Sequence, residues 1–246
     1  MLTVFLGIIS LCLASFNTVL ITRIPAEKNL GGRSECPLCH KTIAWSQNIP
    51  LLSFFAQRGK CKSCKGKISP LYPIVEFLTA FLCLVLTFAI SSLWMKFALV
   101  IFTSFGIALT VIDWKVFRLP NILTYPLFLM LAVLIAFDTT TNNREWLFLR
   151  GLVTSVIFMA FYGLLYLFSR GGMGLGDLKY SASIGLITGY FGVWMAYSSV
   201  MLSFFIGSVY GLTLMALKKG GRKTEVPFGP FMFAGAYLAI LGSLFI

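Results

Sequence analysis

The sequence predicts an all-α polytopic membrane protein of about eight transmembrane helices, with one small polar loop on the cytoplasmic side. Three observations predict this class. Of the 246 residues, 58% are hydrophobic and 11% are charged, whereas a soluble domain carries about 25% charge. The apolar residues form runs long enough to span a bilayer, which takes about 20 residues each. The basic residues gather in alternate connections between those runs.

The first run, 2–21, has no basic segment before it and no small-residue cleavage site after it. It reads as a retained first helix, stopped by Arg23, and not as a signal peptide. Further runs follow at 71–90, 94–112, 120–137, 147–168 and 228–246. The stretch 178–217 is too long for one helix, and Thr188-Gly189-Tyr190-Phe191-Gly192 offers a turn at which to divide it. That division makes eight helices.

Charge tests the count. With the N-terminus outside, the inside connections carry seventeen of the twenty Lys and Arg residues, and the outside ones carry Lys96, Arg144 and Arg150. This is the asymmetry of the positive-inside rule. Seven helices would put Lys218-Lys219-Gly220-Gly221-Arg222-Lys223 outside. The net charge of +12 therefore reads as membrane orientation, and no nucleic-acid partner is expected. The expected organisation is a first helix over 1–22, a cytoplasmic cysteine loop over 23–70 and a multi-helix membrane core over 71–246. No internal repeat is evident.

The loop holds four of the six cysteines, in Cys36-Pro37-Leu38-Cys39 and Cys61-Lys62-Ser63-Cys64. Two such knuckles can present four thiolates in a tetrahedron, the arrangement zinc takes at structural sites. Nearby Lys41, Arg58, Lys60, Lys62 and Lys65 would favour thiolates. Two disulfides or free thiols are the alternatives. His40 follows Cys39 and reads as an unligated surface residue. Cys12 and Cys83 fall inside apolar runs and read as small core residues.

Acids are scarce, eight in all, and only three are aspartate. Asp113 and Asp177 each stand where an apolar run meets a short basic segment. An ionisable residue beside a bilayer core is a functional candidate by default. Two carboxylates sharing a proton can activate water, one as base and the other as acid. Asp177 closes Gly172-Met173-Gly174-Leu175-Gly176-Asp177, where Gly174 and Gly176 would let a substrate backbone approach. The plain alternatives are a helix N-cap for Asp177 and an interfacial ion pair with Lys115 or Arg118 for Asp113. The glycine run lacks the Lys-Ser/Thr ending of a phosphate loop. Glu76 reads as a first-turn acid facing a helix dipole. Asp138 is expected in an outside loop, and Glu225 is a third spare acid. The only histidine is His40, so no Ser/His/Asp set is possible.

Together these residues resemble the type IV prepilin peptidases, also called prepilin leader peptidase/N-methyltransferases. The resemblance covers nearly the whole chain. It runs through Ser15-Phe16 to Arg23-Ile24-Pro25, the two cysteine knuckles, Asn48-Ile49-Pro50, Tyr72-Pro73 with Glu76, and Asp113 with Pro120. It continues through Gly174-x-Gly176-Asp177-x-Lys179, the signature of intramembrane GxGD aspartyl proteases, to Pro227-Phe228-Gly229-Pro230. Thr18, Lys115 and Asn121 depart from the family's usual residues.

The resemblance implies a bacterial inner-membrane enzyme with its active site on the cytoplasmic side. It would remove the basic leader of type IV prepilins or type II secretion pseudopilins. It would then N-methylate the new N-terminal residue from S-adenosylmethionine, with the methyltransferase residues unassigned. Asp113 and Asp177 would be the catalytic pair, and Cys36, Cys39, Cys61 and Cys64 would bind zinc. A proton-coupled transporter using the two aspartates as a relay is the competing reading. A relay would place its acids near the bilayer midplane on broken helices, whereas these stand at one interface.

Overall fold

The computed structural model describes residues 2–169, 173–219 and 225–244. Gly172 and the inside charges Arg170, Arg222 and Lys223 lie outside the described residues. The chain forms two compact units, 1–88 and 89–246.

In the first unit, α1 (Leu2–Arg23) packs on α3 (Leu71–Phe88). Arg23 ends α1, and its guanidinium donates to the carbonyls of Asn29, Leu30, Gly31 and Arg33. One cation in the last turn, where it suits the helix dipole, thus ties down the start of the loop. The loop carries a 3-10 turn at Trp45–Gln47 and the short α2 (Leu52–Ala56).

The two cysteine knuckles repeat each other. The N–H of Cys36 donates to Lys41 O at 3.0 Å and that of His40 to Cys36 O at 2.9 Å. The N–H of Cys61 donates to Gly66 O at 2.8 Å and that of Lys65 to Cys61 O at 2.9 Å. His40 and Lys65, each four residues after its first cysteine, both turn left-handed, with φ of 54° and 58°. An isolated bridge flanks each knuckle, Glu35 with Thr42 and Lys60 with Lys67. A short internal repeat therefore exists where none was expected. Its two turn residues share a conformation and not a chemistry.

The second unit holds α4 (Leu93–Val116), α5 (Asn121–Thr141), α6 (Glu145–Phe168), α7 (Leu175–Phe191), α8 (Val193–Ala216) and α9 (Gly229–Ser243). The eight expected helices are present. Six of them, α1, α3, α4, α5, α6 and α8, are long and apolar enough to cross a membrane; α7 and α9 have 17 and 15 residues. The division of 178–217 falls at Gly192, whose φ of 152° suits glycine.

Short α7 lies among α5, α6, α8 and α9. Its contact with α6 is made by absent side chains. A Cβ on Gly185 would stand 2.8 Å from Ser155 Cα, and one on Gly151 2.8 Å from Leu186 O. Small residues let backbones approach where lipid offers no hydrophobic drive between helices. α7 is thereby fixed with its start beside the ends of α4 and α6.

Candidate functional site

Asp113 sits one turn before the end of α4 and is 4% exposed. Phe117 ends that helix in the left-handed region, its N–H donating to Asp113 O at 2.8 Å. Leu119 and Pro120 then turn the chain into α5. Asp177 is 8% exposed and is the third residue of α7, not its N-cap. The N-cap is Gly174, whose N–H donates to Asp177 Oδ2 at 3.1 Å. A glycine has no side chain to return that bond, so only the acid's half of a capping box exists.

Asp113 finds its partner at another helix start. Gly229, the first residue of α9, donates its N–H to Asp113 Oδ2 at 2.9 Å. Among the described residues this backbone donor, and not the alternative ion pair with Lys115 or Arg118, is the partner of the Asp113 carboxyl. Each carboxyl is thus held by one N–H at a helix N-terminus, where the peptide dipoles favour negative charge. The two carboxyls interact electrostatically with each other. They are buried at one end of the second unit.

The space around them is kept by glycines. A Cβ on Gly229 would stand 2.9 Å from Asp113 Oδ2 and one on Gly174 3.4 Å from Asp177 Oδ2. The close approach at Gly176 is to this chain's own Leu119, whose Cβ would be 2.8 Å away. Buried Tyr162 of α6 stacks on Phe204 at 6.2 Å. Phe228, just before Gly229, lies 5.1 Å from Phe204 and 6.2 Å from Tyr162. Lys179 Nζ donates to Asn121 Oδ1 at 2.8 Å and sits over the Tyr125 ring.

Gly229 and Tyr162 carry no role in the sequence reading. Phe228-Gly229-Pro230 does carry a signal, since Pro belongs in a helix's first turn and Gly allows close approach. Tyr162 is one aromatic among many in an apolar run, and nothing marks it.

The other acids behave differently. Asp138 is not in a loop: it lies inside α5, 2% exposed. Thr139, Thr140 and Thr141 look like loop residues, yet their hydroxyls donate back to carbonyls of Ala136 and Phe137 and carry the helix onward. Ser92 and Tyr190 hydroxyls donate to the Asp138 carboxylate, Tyr190 at 2.6 Å. In the first unit, Glu76 is buried and accepts the N–H of Leu51 at 2.8 Å. Leu51 has a φ of 61°, so Glu76 holds a strained turn in place rather than merely facing a dipole.

The sulfurs of Cys36, Cys39, Cys61 and Cys64 lie within 4.8 Å of one another. Cys36 and Cys64 are 3.8 Å apart, and all four are free thiols, so disulfides are not formed. Four converging soft donors fit a metal ion. The backbone N–H groups of Cys64 and Ser63 pull the Cys61 thiol down to about 6. Backbone donors thus favour a thiolate at Cys61, whereas Cys64, despite its bond from the Gly66 N–H, is pushed up to about 11 by desolvation and the neighbouring thiols. Beside the cluster is a cavity of about 340 Å³, lined among others by Glu35, Asn48, Gln57, Tyr72 and Glu76.

Comparison with known proteins bears on both units. The Bacterial Peptidase A24 N-terminal domain matches residues 8–90, and the Type IV leader peptidase family matches residues 100–215. The chain is 34% identical over 239 residues to the prepilin leader peptidase/N-methyltransferase of Bacillus subtilis (strain 168), covering 96% of this chain and 92% of that one. It is 32% identical over 212 residues to the protein of the same description from Aeromonas salmonicida (strain A449), covering 85% and 71%. With the Vibrio cholerae protein of that description it shares 36% over 197 residues, covering 76% and 77%. No solved structure matches.

Proposed function

The chain belongs to the type IV leader peptidase family, and we propose that it removes the leader of type IV prepilins or type II secretion pseudopilins with Asp113 and Asp177 as catalytic pair. The carrying observation is the two buried carboxyls at one end of the second unit, each held by one helix-start N–H. One carboxylate takes a proton from water, whose oxygen attacks the scissile carbonyl. The other, protonated, donates its proton to the carbonyl oxygen, which gives a gem-diol. As the C–N bond breaks, the first carboxyl passes the proton it took from water to the leaving amine, and the second recovers a proton from a gem-diol hydroxyl as the new carboxyl group forms, so the pair returns to its starting charge. Gly229 keeps a side chain away from Asp113, and Gly176 lets Leu119 pack close beside the site. The transporter reading gains nothing from this geometry.

Asp113→Asn and Asp177→Asn are each expected to abolish leader removal at equal membrane level, measured by mass. The double variant should be no worse than either single one, because the pair acts as a unit. Substantial cleavage by either variant would remove the assignment.

The protein is a multi-pass membrane protein, placed in the bacterial inner membrane with its aspartates on the cytoplasmic side. That side follows from the charge asymmetry and from a substrate whose basic leader stays in the cytoplasm. The four cysteines would hold one structural zinc. The N-methyltransferase activity would draw on S-adenosylmethionine, which supplies an electrophilic methyl group on a sulfonium. The cavity in the first unit fits that chemistry: Glu35 and Glu76 offer carboxylates, and Tyr72 a ring, toward a cation.

A further inference from the structure

The second unit has an open groove away from the two aspartates. α6 and α8 line it with Val153 and Ile157 on one side and Tyr197 and Met201 on the other, and its volume is about 690 Å³. The lining residues recur at three- and four-residue steps along both helices, so each offers an apolar stripe, interrupted on α6 by Arg150 and Thr154, whose side chains donate to main-chain carbonyls. These two are also the least covered spans: 28% of the α6 span and 17% of the α8 span are buried inside the protein, against 67% for α4.

The groove runs toward the aspartates. It extends along α6 from Trp146 to Phe161, about 22 Å at 1.5 Å per residue, most of a hydrocarbon core of roughly 30 Å. Phe161 meets Phe204 edge-on at 6.2 Å. Phe204 belongs to an aromatic cluster with Tyr162 and Phe228. The residue after Phe228 is Gly229, which holds Asp113.

We propose that the groove between α6 and α8 is the docking site for the apolar helix of the substrate, which begins directly after the scissile bond. The inference rests on the peptidase reading. A substrate helix set there runs parallel to the membrane normal, with its cytoplasmic end delivered to the carboxyls. Its contacts are van der Waals packing against two ready-made stripes. The groove asks for apolar shape over several turns and for no particular side chain. That suits a class of substrates defined by a helix.

Photo-crosslinking in membranes tests this. Benzoylphenylalanine is placed singly at Val153, Ile157 or Met201, and for comparison at Leu129 or Val133 on the exposed face of α5. Each full-length protein is irradiated with a full-length prepilin, and cleavage is followed in the same vesicles. Prepilin adducts from the three groove positions and none from α5 are expected. Adducts to lipid alone at the groove, or to prepilin mainly from α5, with cleavage intact, would overturn the docking site and leave the peptidase reading standing. Absence of cleavage by the unsubstituted protein would overturn the reading itself. A Val153→Trp, Met201→Trp variant fills the groove. The ratio of its kcat/KM for full-length prepilin to that for a leader peptide that ends a few residues past the scissile bond should fall roughly tenfold. An unchanged ratio would also overturn the proposal.

Discussion

The cysteine loop and the aspartate end of the second unit are both built to hold charge, by opposite means. The loop gathers four sulfurs on two small turns, largely in contact with water, and an added ion would complete it. The aspartate site is closed by protein alone. Its two acids are buried, and beside Asp113 the hydrogen atom of Gly229 stands where a side chain would collide. One region depends on what is supplied to it, the other on what has been left out. Tolerance to substitution and to solution conditions should differ accordingly.

The largest expected effect tests the second half of that contrast. Gly229→Ala sets a methyl group 2.9 Å from Asp113 Oδ2. On the catalytic role proposed for Asp113, misplacing its carboxyl by a fraction of an ångström to an ångström should lower kcat for prepilin cleavage about 100-fold. Gly211→Ala has nothing within 4 Å of the new methyl group and should cleave normally. Equal activity of the two variants would break the comparison.

The next effect belongs to the loop. Metal analysis should find about one zinc per chain, and Cys36→Ser should lower that content. Proteolysis within 24–70 should quicken, and S-adenosylhomocysteine binding by calorimetry should weaken, while leader removal persists. A protein that is free of metal, with an undisturbed loop, would show that the sulfurs converge for some other reason.

The smallest effect lies with the third buried acid. Asp138 already has hydroxyl donors from Ser92 and Tyr190, so its role is to hold helix ends together. Asp138→Asn keeps one acceptor and should cost about 1–2 kcal/mol of stability, read as a lower melting temperature with cleavage retained at low temperature. Loss of cleavage from a folded Asp138→Asn protein would remove the distinction between this acid and the other two.

The helices were legible because bilayer length, charge alternation and glycine breaks all act locally. The division at Gly192 is one such local signal. Asp113 and Asp177 stood out because acids are few in an apolar chain. What stayed hidden depends on contacts distant in sequence or on backbone conformation. The bond from Gly229 to Asp113 joins residues 116 apart, and the donor is a main-chain N–H that no spacing reveals. The knuckle repeat hid because His40 and Lys65 share only a left-handed turn. Asp138 looked like a loop residue because polar threonines follow it. Their hydroxyls satisfy helix carbonyls, and that lengthens the helix instead of ending it.

Centrally placed α7 has a consequence for how the chain is made. It is short, it carries Asp177 and Lys179, and its buried side is rich in Ser, Ala and Gly. Alone in lipid, such a segment has little to favour its partitioning from the translocation channel. The glycine face that suits α6 gives nothing to acyl chains. Integration of α7 would therefore have to wait for α6 on one side or α8 on the other, so that these segments leave the channel as a group. The residues that bring Asp177 to its partner would then also set the order in which the nascent protein enters the membrane.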